Sequence, residues 1–181
     1  MKVALLGGSF NPPHVGHLMA ALYARTALGF DEVWLTPSFH HPFHKPLAPF
    51  ADRVALCGAL TADVGPWLKV CEAEREVGGE GRTIELLEYL LPRHPGVRFS
   101  LVIGSDIVRD LPSWKAFDRI EQLVNVVVLQ RAGFPEARAV GPALAQVSST
   151  ELRDRLARRD RPELLVPRSV LALIDARGLY R

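Results

Sequence analysis

The 181-residue chain is short of cysteine, of net charge and of long apolar runs, and each shortage excludes something. Its two cysteines, Cys57 and Cys71, form no CxxC pair, which fits a reduced compartment and argues against a disulfide framework. The formal charge is only +2, so no global field calls for nucleic acid or an anionic membrane. Val3–Leu6 is too short for a signal-peptide core, and no later run approaches a membrane span. A cytoplasmic protein is expected. No internal repeat, low-complexity tract or interdomain linker interrupts the sequence. Two phosphate-binding signatures are also missing: GxGxxG and GxxxxGK[ST] do not occur.

What remains is an ordinary globular composition, 48% apolar and 23% charged, in a chain sized for one domain. Short apolar runs alternate with helical periodicity. Strands are expected at Val3–Leu6, Glu32–Thr36, Trp67–Cys71, Arg98–Ile103 and Val126–Leu129. Helices are expected at Val15–Leu28, Asp52–Ala62, around Ile84–Leu91, at Trp114–Leu123, Ser148–Arg158 and Val170–Ala176. Glu72–Gly81, Gly104–Trp114 and Ala132–Ala145 read as loops. This alternation predicts an α/β fold with a parallel sheet covered on both faces and a small C-terminal helical part over 148–181. Ligands of such sheets bind beyond the carboxyl ends of the strands. That rule singles out Gly7–His17, Pro37–Pro49, Gly104–Trp114 and the residues before Ser148.

The first of these reads GGSFNPPHVGH. Glycines after a strand let the chain turn sharply and let a ligand approach backbone N–H groups. The following helix offers free N–H groups and the positive end of its dipole. His14 and His17 are neighbours at that helix start, so both rings can face one anion, and Gly16 leaves room for a bulky group. A glycine turn with two surface histidines is the plainer alternative.

The second loop, with His40, His41, His44 and Lys45, allows either a zinc site or a cationic cradle for phosphates. In the third, Asp106 follows a strand and a glycine, where a carboxylate can accept from ribose hydroxyls or cap a helix. Trp114 is either core or a surface on which a flat ring stacks. The fourth, VSSTELR, has a capping box from Ser148 to Glu151. Ser149, Thr150 and Arg153 lie outside what that box needs and suit a second anion.

Taken together, GGSFNPPHVGH, HKP at His44–Pro46, GRTIELL at Gly81–Leu87, IGSDIVRDLPSWKAF at Ile103–Phe117, SSTELR at Ser148–Arg153 and the ending LIDARGLYR resemble the bacterial nicotinate-nucleotide adenylyltransferases. These are a branch of the nucleotidylyltransferase superfamily, whose signature is (H/T)xGH. The resemblance spans nearly the whole chain and implies a doubly wound, Rossmann-like nucleotidylyltransferase fold. It implies transfer of AMP from ATP to nicotinate mononucleotide, giving deamido-NAD and pyrophosphate by direct in-line attack, with Mg²⁺ carried by the ATP phosphates and no resident metal. The same chemistry on nicotinamide mononucleotide or phosphopantetheine stays open, as do a non-catalytic nucleotide-binding module and a homo-oligomer.

By the same resemblance, His14, His17 and Lys45 act on the phosphates, and Ser149, Thr150 and Arg153 hold the outer two. Gly104 and Asp106 meet the adenosine ribose. Gly8, Ser9 and Phe10 line the nucleotide path with backbone groups, and Gly16 belongs to the same ATP site. Thr83 and Trp114 hold the pyridine ring, with Arg82 beside them. Two residues depart from the family's habit: Asn11 stands where Asp is common, and Arg82 where Tyr is usual.

Overall fold

A computed structural model describes residues 1–40, 47–62 and 64–181. Six strands form one all-parallel sheet: β1 (Lys2–Gly8), β2 (Glu32–Pro37), β3 (Leu68–Val70), β4 (Arg98–Gly104), β5 (Asn125–Arg131) and β6 (Val140–Leu144). Their order is β3-β2-β1-β4-β5-β6, that of a doubly wound dinucleotide-type sheet. Between them run α1 (Val15–Thr26), α2 (Phe50–Ala62), α3 (Ala73–Val77), α4 (Thr83–Arg93), α5 (Phe117–Leu123), α6 (Ser149–Ala157) and α7 (Arg168–Arg177).

The four inner strands, β2, β1, β4 and β5, are mostly apolar through their middles because both faces are covered, whereas the edge strand β6 is mostly exposed. Side chains alternate across a strand, so β1 sends Ala4 and Leu6 into one core and Val3 and Leu5 into the other. The first core holds the buried faces of α1, α2, α6 and α7, with Leu56, Leu152, Val170 and Ile174. The second holds α4 and α5, with Ile84, Leu87 and Ile120. The C-terminal helices thus share the first core with the sheet. Gly178, left-handed at φ 61°, ends α7 and turns the chain back toward that core. Among the described residues no helix is long and apolar enough to cross a membrane.

Four segments differ from the sequence-based expectation. Glu72–Gly81 contains the single-turn helix α3, closed by left-handed Gly78. Gly104–Trp114 is largely a 3₁₀ helix, Ser105–Ser113. The helix expected from Trp114 starts only at Phe117, because Trp114 is extended and Ala116 is left-handed at φ 54°. Ala132–Ala145 includes strand β6, whose Gly141 and Pro142 hid it. At the sheet edge a proline costs no ladder bond, and Gly141 (φ 84°) lies against the Tyr23 ring, where any Cβ would collide.

Candidate active site

The sheet order reverses between β1 and β4, and there the strands' carboxyl ends open into a cleft of about 980 Å³. Gly7 and Gly8 end β1 on one side, and Gly104 ends β4 on the other. Gly8, Ser9, His14, Gly16, His17, Gly104 and Asp106 line its inner part, and Arg82, Thr83 and Trp114 line its outer part. The structure therefore brings ten of the residues expected at the site into one cavity.

His14 and His17 occupy an unusual place. His14 is the N-cap of α1, and its Nδ1 accepts from the Gly16 N–H at 3.2 Å. His17 Nδ1 in turn accepts from the His14 N–H at 3.2 Å. Two imidazoles thus do what Ser and Glu do in an ordinary capping box. An accepting Nδ1 carries a lone pair, so each neutral ring holds its proton on Nε2. The rings lie against each other, tilted by 33°, with centroids 3.8 Å apart. His17 Nε2 lies by the Gly8 backbone, 3.8 Å from where a Cβ there would stand. Burial, aided by the Arg131 cation, pulls the His14 pKa down from 6.5 to about 4. Burial also holds His17 well below its ordinary value, helped by His14 and Arg131. Both rings are therefore neutral N–H donors near pH 7 rather than the cations a histidine pair suggests. Gly16 is small for a different reason from the one expected: a Cβ there would meet the His14 ring at 3.0 Å and Val147 at 3.5 Å. The space it leaves belongs to His14.

Across the cleft, Asp106 faces Arg131, with Oδ1 and Nε 3.6 Å apart. Neither atom has a hydrogen-bond partner, although both are buried. Unpaired buried polar atoms at a cleft wall are groups waiting for a ligand. A side chain at Gly104 would strike both residues, so the glycine keeps this pair in place. Asp106 follows a 3₁₀ start whose N-cap is Gly104 and makes no capping bond, which favours the ligand role over the capping one.

At the outer end, Thr83 opens α4 and the Arg82 guanidinium turns to Glu80. Glu85 closes that helix start by accepting from the Glu80 N–H at 3.1 Å and the Arg82 N–H at 3.4 Å. Lys115 Nζ lies 3.9 Å from Glu85 and lines the cleft beside Trp114. The Trp114 ring meets Phe117 edge-on at 6.3 Å, and Trp114 lines the cavity. Gly81, at φ 72°, brings its backbone against the His40 carbonyl. Glu74 also lines the wall. It accepts from the Phe39 N–H at 3.0 Å, and burial raises its pKa from 4.5 to about 7.

Several expected residues lie elsewhere. The Phe10 side chain is fully buried away from the cleft, with its ring 4.6 Å from that of His17, so only its backbone is left for the role expected of it. Ser149, Thr150 and Arg153 lie beyond the rim, bonded to the first loop. Ser149 Oγ donates to the Pro12 carbonyl at 3.3 Å, and Arg153 donates to the Asn11 carbonyl at 2.8 Å and to Thr150 Oγ1 at 3.2 Å. Of the capping box expected at α6, only the half in which Ser148 Oγ accepts from the Glu151 N–H is present, at 3.4 Å. Lys45, with His41 and His44, falls outside the described residues; His40 is exposed at the cleft mouth. Arg131, Glu74 and Lys115 were not singled out by sequence. Arg131 was within reach of the strand-end rule, since it closes β5 at the same sheet edge.

The comparisons with known proteins agree with this geometry. Residues 5–155 match the cytidylyltransferase-like family. The chain is 56% identical over 180 residues to a Myxococcus xanthus protein named "Probable nicotinate-nucleotide adenylyltransferase", covering 99% of this chain and 95% of that one. It is 47% identical to the protein of the same name from Anaeromyxobacter dehalogenans, covering 99% and 97%. The fold superposes with a TM-score of 0.81 on the Plasmodium falciparum nicotinic acid mononucleotide adenylyltransferase complexed with NaAD, at 18% identity over 99% of this chain and 97% of that one. A full-length relation at 56% identity, together with the family match, decides the matter: this chain belongs to the nicotinate-nucleotide adenylyltransferase family of cytidylyltransferase-like enzymes.

Proposed function

We propose that the chain transfers AMP from ATP to nicotinate mononucleotide, and that the paired Nε2–H donors of His14 and His17 carry the reaction. The observation behind this is their double Nδ1 anchoring at the start of α1. An oxygen of the mononucleotide phosphate bonds to the α-phosphorus of ATP while the bond from that phosphorus to the pyrophosphate oxygen breaks. Charge grows on the α-phosphate oxygens and on the leaving pyrophosphate. Donors already fixed by backbone bonds stabilise it without reorganising. The reading needs no protein nucleophile.

The Asp106 carboxylate is suited to ribose hydroxyls, and the Arg131 cation beside it to phosphate oxygens. The free N–H groups of the first turn of α4, with Lys115 and Arg82 nearby, suit the carboxylate of a nicotinate ring stacked on Trp114. Ser149, Thr150 and Arg153, with Lys45, are proposed for the outer phosphates. No three His, Cys, Asp or Glu side chains converge among the described residues, and Asp106 is faced by a guanidinium. An Asp–Arg pair of this kind suits ribose and phosphate oxygens, and magnesium is proposed to enter with its substrate as MgATP. Two free cysteines favour a reducing cytoplasm as its place of work.

The test is pyrophosphate release from ATP and Mg²⁺ with nicotinate or nicotinamide mononucleotide offered in parallel. Release with the nicotinate acceptor is expected, and background rates with both would end the proposal. His17→Ala should lower kcat by about 100-fold or more; a near-normal kcat would remove His17 from the mechanism.

A further inference from the structure

We propose that buried Asn11 and half-buried Tyr180 form a clamp that positions the histidine loop for adenylyl transfer. They are positioning residues that touch no reacting atom, and the assignment rests on the reading of the site given above.

Asn11 lies three residues before His14 and is 2% exposed. Its Oδ1 accepts from the Ala48 N–H at 3.1 Å, which fixes the amide orientation because a backbone N–H can only donate. The same oxygen accepts from the Tyr180 hydroxyl at 2.9 Å. Both lone pairs of the amide oxygen are thereby used. The backbone carbonyl of Asn11 takes the Arg153 guanidinium. One residue thus joins the first loop, the 47–49 segment, α6 and the chain end.

A second tie runs parallel to the first. Arg53 is 1% exposed and spends its donors on carbonyls: Nε to Ala48 and Nη1 to Ser9, each at 2.9 Å. Ala48 is therefore held through its N–H by Asn11 and through its C=O by Arg53. The first loop is held on both sides of Phe10, the residue whose ring lies beside that of His17.

Tyr180 reaches Asn11 because of the way α7 ends. Gly178 N–H bonds to the Asp175 carbonyl and Leu179 N–H to that of Ile174, which reverses the chain. Tyr180 itself is left-handed at φ 61°, a conformation a tyrosine rarely adopts. Burial pushes its phenol pKa up, so the hydroxyl stays a donor across the working pH range. A hydroxyl from the far end of the sequence, held in a disfavoured backbone conformation and bonded to a saturated acceptor beside the catalytic histidines, serves the loop's geometry more than the stability of the chain end.

Tyr180→Phe keeps the ring and removes only the O–H. We expect kcat with saturating ATP and nicotinate mononucleotide to fall five- to tenfold while KM for ATP changes less than twofold and the melting temperature holds within a few degrees. Asn11→Leu, isosteric but without an acceptor, should lose at least as much. Asn11→Asp keeps both acceptor positions and should restore most of that loss. The Tyr180→Phe/Asn11→Leu double variant should be no worse than Asn11→Leu alone. Wild-type kcat in Tyr180→Phe, or losses that simply add in the double variant, would overturn the clamp. Should the wild-type protein release no pyrophosphate, the functional reading fails on its own. The clamp is then judged from the His14 and His17 ring resonances in NMR spectra of folded Tyr180→Phe: displaced signals support it, and unmoved signals overturn it.

Discussion

The twin histidines make acid sensitivity a test of their buried, neutral state. His14 has a folded pKa of about 4 against 6.5 in an unfolded chain. Between those values the unfolded chain binds a proton that the folded protein refuses. Stability is therefore unaffected by His14 above about pH 6.5, falls as pH drops below it and levels off near pH 4. The slope is up to about 1.4 kcal/mol per pH unit, and the loss reaches about 2.5 kcal/mol by pH 4.5. His17 pulls in the same direction.

Glu74 opposes them. Its folded pKa of about 7 lies above the usual carboxylate value of 4.5, so the folded protein holds a proton there that the unfolded chain releases. Lowering the pH through that window gains stability, by up to about 3 kcal/mol. The histidine term is isolated by working in a Glu74→Gln background, where Gln still accepts from the Phe39 N–H. Asparagine at position 14 can cap α1 as an acceptor for the Gly16 N–H and does not titrate. Urea unfolding of Glu74→Gln and of Glu74→Gln/His14→Asn should be compared from pH 8 to pH 4.5. The two curves should run parallel above pH 6.5 and converge by about 2.5 kcal/mol at pH 4.5, the double variant losing less. Curves parallel over the whole range would show that His14 titrates normally, and the neutral-donor account would fall.

Two further outcomes follow from the cleft walls. Arg131→Gln removes a cation that depresses both histidines, so the acid limb of the kcat/KM profile for ATP should move to higher pH; an unmoved limb would separate Arg131 from the histidines. Gly81→Ala combines a φ of 72° with a Cβ directed at the His40 carbonyl and should cost about 1–3 kcal/mol in urea unfolding, with a raised KM for the mononucleotide. A neutral Gly81→Ala would mean that the two loops do not meet.

The parallel sheet was legible because its four inner strands carry apolar runs covered on both faces, and periodicity detects such runs directly. β6 escaped since an edge strand can carry Gly141 and Pro142, and its place is set by pairing with Leu129 and Arg131, not by its own composition. α3 escaped because one charged turn closed by Gly78 has no period to read. At the site, the residue types near the sheet edge were readable and their electrical state was not. The sequence suggests a cationic cradle; burial and the Nδ1 bonds make the histidines neutral. Arg53 and Tyr180 gave no local signal at all, since their partners Ser9 and Asn11 lie 44 and 169 residues away.

These distant partners have a common consequence. An anion site must present hydrogens and keep lone pairs out, yet every residue of a loop brings a carbonyl, and Pro12 and Pro13 bring no N–H to balance theirs. Here the carbonyls of the first loop are taken up elsewhere. Ser38 N–H bonds to that of Gly8, Arg53 to Ser9, Arg153 to Asn11 and Ser149 to Pro12. With these acceptors engaged, and both imidazole lone pairs engaged by backbone N–H groups, the loop is left with donors to offer the cleft. In the proposed function, the preference of this corner for phosphate comes less from net positive charge than from where its lone pairs are spent, and α2, α6 and the residue after β2 spend them at a distance from the chemistry.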